Sequence, residues 1–161
     1  NFITNIGAEW ANKIDMTTWK VGGNTNIADQ PAKTAYQDEI VNPLTAGSTD
    51  NKTEYSAKIG LMYASDYGFA AAPSAWTADL STYNDEAIKN ANWMYMGLYE
   101  WTISRQPNQH RNGAFFVTGS GFVTDSYGLM YANGVRPVFY LTSSVNYASG
   151  SGSATDPILV N

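Results

Sequence analysis

The chain has 161 residues, a length that suits one domain with its own buried core. Its net charge is −5 with only 9 Lys and Arg, which excludes the basic stripe that nucleic acid requires. It has no Cys, so disulfides, thiol nucleophiles and Cys-based zinc sites are excluded as well.

Charged residues make up 14% of the chain, below the roughly 25% usual for globular domains. Aromatic residues reach the same 14%, with 11 Tyr and 5 Trp. Asn, Ser, Thr and Gln supply the polarity. That mixture resembles an extracellular or binding surface more than a cytosolic enzyme. No apolar run approaches the roughly 18 residues of a membrane span. No signal-peptide pattern opens the chain, and no span is expected in it.

Phe2, Ile3, Ile6, Trp10 and Ile14 recur at spacings of three and four, which predicts a helix over residues 2–16 with its apolar stripe on a sheet. Thr17 to Val21 reads as a short strand stopped by Gly22-Gly23. Residues 24–34 read as loop. Ala35 to Val41 reads as a short helix ended by Asn42-Pro43, because the residue before proline avoids helical geometry. Ala46 to Thr53 is a polar loop. Lys58 to Tyr63 reads as a strand, and Ser65-Asp66 as the cap of a helical turn running to Ala72. Pro73 to Tyr83 is irregular. Asn84-Asp85-Glu86 caps a helix to about Lys89.

From Asn92 onward the composition is that of an antiparallel meander. Asn92 to Tyr95 opens it, and its strands are expected at 99–105, 114–118, 122–125 and 134–141. Gly119-Ser120-Gly121 suits a hairpin, since glycine takes φ > 0 without a Cβ clash. Residues 106–113 form a loop, Tyr147 to Thr155 is rich in Gly, Ser and Ala, and Asp156 to Val160 is a terminal strand. Arg136, beside Pro137, is expected to be partly buried with its guanidinium held by carbonyls or a carboxylate. Trp93 and Val138 are expected in the core.

The chemistry of catalysis is poorly served. The single His is His110, in a segment crowded with Arg and amides, with no nucleophile elbow in the chain. Asp38-Glu39 and Asp85-Glu86 read as helix starts or solvated faces rather than a glycosidase pair. No calcium-binding loop motif is present, although Asp125 and Glu100 are carboxylates that can join backbone carbonyls around such an ion. No cofactor and no metal site is assigned. What remains is a recognition surface of Trp101, Arg105, His110, Arg111, Asn112, Tyr127 and Tyr131 in or beside loops of the closing sheet. Aromatic and Arg side chains bury much area for few rotors, and aromatic faces stack on sugars. Trp101 and Tyr131 also suit a core, and of the set Trp101 leans inward while His110 to Asn112 lean outward.

Several segments resemble a known family. They are Ile59-Gly60-Leu61-Met62-Tyr63-Ala64-Ser65-Asp66-Tyr67-Gly68-Phe69-Ala70, then Asn92-Trp93-Met94-Tyr95 with Glu100-Trp101-Thr102-Ile103-Ser104. Gly134-Val135-Arg136-Pro137-Val138-Phe139-Tyr140-Leu141 with Thr155-Asp156-Pro157-Ile158-Leu159 is the third, and Trp10 to Ile14 and Thr18 to Gly23 also match. These blocks resemble surface proteins of Firmicutes and related anaerobes, often carried behind a prepilin-like helix. Asn1 to Asn5 lacks the apolar start of such a helix, so pilus membership is an inference about sequence preceding Asn1. The Gly-Val-Arg-Pro-Val segment also resembles the closing strand of C-type-lectin-like and formylglycine-generating-enzyme folds. The enzyme branch uses cysteines that this chain lacks, so its activity is not implied.

The resemblance implies a single C-type-lectin-like α+β domain over residues 1–161, an N-terminal helix packed on a twisted antiparallel sheet. The expected function is non-catalytic, adhesin-like recognition at an extracellular cell surface or on a pilus. Its partner is a carbohydrate or protein ligand. The alternative is a pilin-like structural subunit whose partners are neighbouring copies, joined through terminal segments into a filament.

Overall fold

The computed structural model describes residues 2–22, 26–43, 54–106, 113–126, 131–153 and 155–161. They form an α+β fold in which the paired strands are antiparallel. The N-terminal segment departs from the single helix expected over 2–16. Gly7 takes φ 84° and divides it into α1 (Phe2–Asn5) and α2 (Ala8–Lys13), neither with a buried residue. Helices this short are not stable alone. The segment is held instead by its ends. Phe2 lies against Phe139 with ring centres 6.1 Å apart, and buried Ile14 bridges to Leu141. The Asp15 amide donates to the Tyr140 carbonyl at 2.8 Å.

Strand β1 (Thr17–Lys20) follows as expected, and the buried indole of Trp19 donates to the Ala57 carbonyl. The region read as loop over 24–34 is more ordered than that. Its described part holds a 3-10 turn, Ile27–Asp29, and the start of α3 (Ala32–Tyr36), and it buries Ile27, Ala28 and Ala32. A π-helical turn, Gln37–Val41, extends α3 to Asn42 as Pro43 demands. The polar loop expected at 46–53 lies outside the described residues.

β2 (Glu54–Ala57) pairs with β1, whereas the strand expected at 58–63 shrinks to β3 (Gly60–Leu61). α4 (Ala64–Phe69) begins just before the anticipated cap and stops short of Ala72. Asp66 acts from inside its first turn by accepting from the Tyr63 amide at 2.9 Å. α3 and α4 approach closely because small residues face each other. A Cβ on Gly68 would lie 2.6 Å from that of Ala32. After two 3-10 turns, Pro73–Ala75 and Leu80–Thr82, Asp85 caps α5 (Glu86–Asn90) as expected.

Asn92 to Tyr95 is a turn, not a strand. The buried Asn92 amide donates to the Tyr67 carbonyl, and its oxygen accepts from the Met94 amide. This clamp sends Met94 inward and Trp93 outward, so Trp93 is 79% exposed rather than a core residue. β4 (Glu100–Gln106), β5 (Gly113–Val117) and β6 (Val123–Ser126) form the anticipated meander. Its hairpin closes through Thr118 N–H to the Phe122 carbonyl, with Gly121 at φ 100°. Two tyrosines anchor that hairpin: Tyr67 donates to the Gly121 carbonyl and Tyr95 to that of Gly119.

The fourth meander strand expected at 134–141 is not formed. Only β7 (Pro137–Val138) is regular there, and it pairs with β3. Pro137 has no N–H to donate to a longer ladder. The chain then folds into a small hairpin of β8 (Tyr147–Ser149) and β9 (Leu159–Val160). The core gathers Ile27, Met62, Tyr67, Leu80, Tyr83, Phe115 and Val123, with Val138 packed at its margin.

Arg136 is partly buried and held as its sequence context required. Its Nη2 donates to Glu100 Oε2 at 2.5 Å and to the Met94 carbonyl at 2.9 Å, while Nε donates to Glu100 Oε1 at 3.2 Å. Glu100 is buried, so removing its partner strands a charge. Arg136→Met should therefore lower stability by about 3 kcal/mol. The combination with Glu100→Gln should recover part of that loss, as denaturant titration of the three variants will read.

Candidate functional site

β4 is inverted relative to an ordinary half-buried strand. Its inward residues are polar: Glu100, Thr102, Ser104 and Gln106 are buried, whereas Trp101, Ile103 and Arg105 are half-buried. Period-2 alternation compels this division. Each described inward contact satisfies a polar atom. Glu100 meets Arg136, the Thr102 hydroxyl donates to the Phe115 carbonyl, and the Ser104 hydroxyl donates to Glu39. The outward side chains build an aromatic face. Trp101 pairs across the ladder with Phe116 and meets its ring edge to face at 5.5 Å. Tyr99 stacks on the same ring at 6.1 Å.

This face leads into a groove of about 590 Å³ lined by Tyr99, Phe116, Asp125, Tyr131, Ala132 and Asn133. Its volume is that of a small-ligand site. Among the anticipated recognition residues, Tyr131 lines the groove and is 65% exposed, which settles it outside the core. Trp101 supports the groove through Phe116 and is partly buried, in keeping with its inward leaning. Arg105 pairs with Ala114, further along the ladder, and does not line the groove. His110, Arg111, Asn112 and Tyr127 lie outside the described residues. Tyr99 and Phe116 were missed in the sequence. For Phe116 the signal was present, because alternation with buried Phe115 and Val117 assigns it to the opposite face. Glu100 does not join Asp125 as a calcium ligand, since both of its oxygens accept from Arg136.

A second chemical feature lies behind the sheet. Glu39, read from the sequence as a helix start or solvated face, is 2% exposed. The π-helical turn points it at β4 and α4. Its Oε1 accepts from the Ser104 hydroxyl and its Oε2 from the Ser65 amide at 3.2 Å. The Ala64 amide completes the arrangement by donating to Ser104 Oγ at 2.9 Å. Burial is the largest influence on this carboxyl. It pushes the pKa up to about 7 against the opposing effect of these hydrogen bonds. Asp66 adds like charge in the same direction and is itself raised by burial.

A buried carboxyl of this kind couples folding to pH. Between about 4.5 and about 7 the folded chain holds a proton on Glu39 that the unfolded chain has released. Its contribution is complete below the lower value and is lost as pH rises through the upper one. Unfolding free energy of the wild type relative to Glu39→Gln should fall across this window, by on the order of 3 kcal/mol. Denaturant midpoints at pH 4.5, 6 and 8 will test this. A difference that stays flat or rises with pH is incompatible with the assignment.

No family model matches the chain, and neither a curated protein nor a solved structure matches it.

Proposed function

We propose that the chain is a non-catalytic recognition domain of an extracellular surface or pilus-associated protein, taking a carbohydrate or protein ligand in the groove beside β5 and β6. The supporting observation is the groove itself, where Tyr99, Phe116 and Tyr131 offer aromatic faces beside the polar groups of Asp125 and Asn133. Rigid aromatics lose little conformational entropy on contact, and the polar groups fix orientation. A sheet holds the ends of the ligand-bearing segments in place. The C-type-lectin-like architecture belongs to this reading. It is supported by the antiparallel meander and by the Arg136 segment that closes on it.

A second reading, a pilin-like subunit that polymerises through its terminal segments, is favoured by the hairpin of β8 and β9. Tyr147, Ile158 and Leu159 are all exposed there. An apolar two-stranded hairpin is a natural donor of subunit contacts.

A ligand screen, glycans first, should yield a binder whose affinity drops by about 1–3 kcal/mol in Tyr131→Ala and in Asp125→Asn, with Tm hardly changed. Binding that ignores both substitutions moves the site elsewhere. Electron microscopy of the native protein separates the two readings. Filaments that vanish with Leu159→Asp, while the groove variants still assemble, establish the structural subunit in place of the recognition domain.

A further inference from the structure

Three separate segments of the chain converge on a second pocket, away from the sheet groove. It has a volume of about 430 Å³ and is reached by α4, by the turn after Asn92 and by the segment following β7. Buried Met62 and Met94 contribute its floor, and Phe69, Trp93 and Tyr140 are the aromatic members of its wall. Asp66 is the one charged side chain among the described lining residues.

Two of the aromatics are held open to solvent, while Phe69 is half-buried and meets Trp76 edge to face at 5.3 Å. The Asn92 clamp turns Trp93 outward, and the Trp93 amide is itself tied to the Ala70 carbonyl at 3.3 Å. Tyr140 leans on the buried Trp19 ring at 5.6 Å and remains 58% exposed. Asp66 uses Oδ2 to accept from the Tyr63 amide. Among the described residues Oδ1 accepts no hydrogen bond, and no cation pairs with the carboxylate. Arg136, which reaches the Met94 carbonyl, is held by Glu100.

Aromatic faces carry negative potential, and a partly desolvated carboxylate gains most from a positive neighbour. The wall presents few hydrogen-bonding side chains, so a sugar would leave several hydroxyls without partners there. We infer that this pocket is a cation cage that binds an alkylammonium group against Trp93, Tyr140 and Phe69, with Asp66 as its counter-charge. The group can belong to a free quaternary amine or to a lysine-like primary amine.

The test is a titration of the whole chain followed by calorimetry, which reads every variant, and in the wild type also by the NMR signal of the Trp93 indole, assigned with Trp93→Phe. The probes are tetramethylammonium, n-butylammonium, choline with its neutral isostere 3,3-dimethylbutan-1-ol, and glucose. At least one ammonium probe should saturate the Trp93 signal, and the neutral alcohol should bind about tenfold more weakly or not at all. Preference for tetramethylammonium identifies a quaternary head group as the source, and preference for butylammonium a lysine-like amine. Asp66→Asn keeps an acceptor for the Tyr63 amide and should weaken binding of the ammonium probe about tenfold. Trp93→Ala removes an exposed side chain and should abolish the binding without altering Tm, which keeps the test decisive if the Asp66 variant fails to fold. Equal affinity for the alcohol and the cations overturns the proposal. So do saturation by glucose alone, no response to either cation, and cation binding that survives Trp93→Ala.

Discussion

The arrangement depends first on where the Glu100 carboxylate is placed. β4 carries it inward, and only a cation delivered from elsewhere can accompany it there. Arg136 does so while also donating to the Met94 carbonyl. One guanidinium thus joins the first strand of the meander, the turn after Asn92 and the segment that leads into β7. The planar fork of arginine suits this task, since it can address a carboxylate and a carbonyl together in a fixed geometry. Beside this pair, backbone bonds between Trp101 and Gly134 and between Gly134 and Tyr99 zip the two segments together.

Polar residues inside and aromatic residues outside give the meander an unusual division of labour. Inward hydroxyls and carboxyls satisfy one another across three elements, from Thr102 to the Phe115 carbonyl and from Ser104 to Glu39. Tyrosines extend the same principle. Tyr67 and Tyr83 are fully buried, yet their hydroxyls reach the carbonyls of Gly121, Gly68 and Ala75. A ring contributes apolar area and its hydroxyl repairs a backbone acceptor that burial would otherwise orphan. A chain poor in large aliphatic residues in its core, which relies on Ala32, Ala35, Ala64 and Ala70, gains cohesion from these bonds.

The outward aromatics are a consequence of the same alternation. Once Thr102 and Ser104 turn in, Trp101 turns out toward Phe116. Tyr99 and Tyr131 complete a groove, and Trp93 and Tyr140 form another on a different part of the surface. Exposed aromatics on this scale fit contact with something beyond the chain better than they fit an isolated fold.

The sequence by itself determined the local features that follow from a few neighbouring residues. The Gly119 to Gly121 hairpin, the Asp85 cap, the helix end before Pro43, the meander from Glu100 to Ser126 and the need of Arg136 for a partner all belong there. Each is decided by backbone freedom, capping or the cost of burying a charge. Tertiary structure alone decided which faces are covered. The apolar periodicity of residues 2–16 was real, but Gly7 broke the helix and neither piece buries a residue. Trp93 looked like core until the Asn92 clamp turned it out, and Glu39 looked solvated until the π-helical turn aimed it at Ser104. Burial is set by what packs against a residue from distant parts of the chain, and no local pattern carries that information.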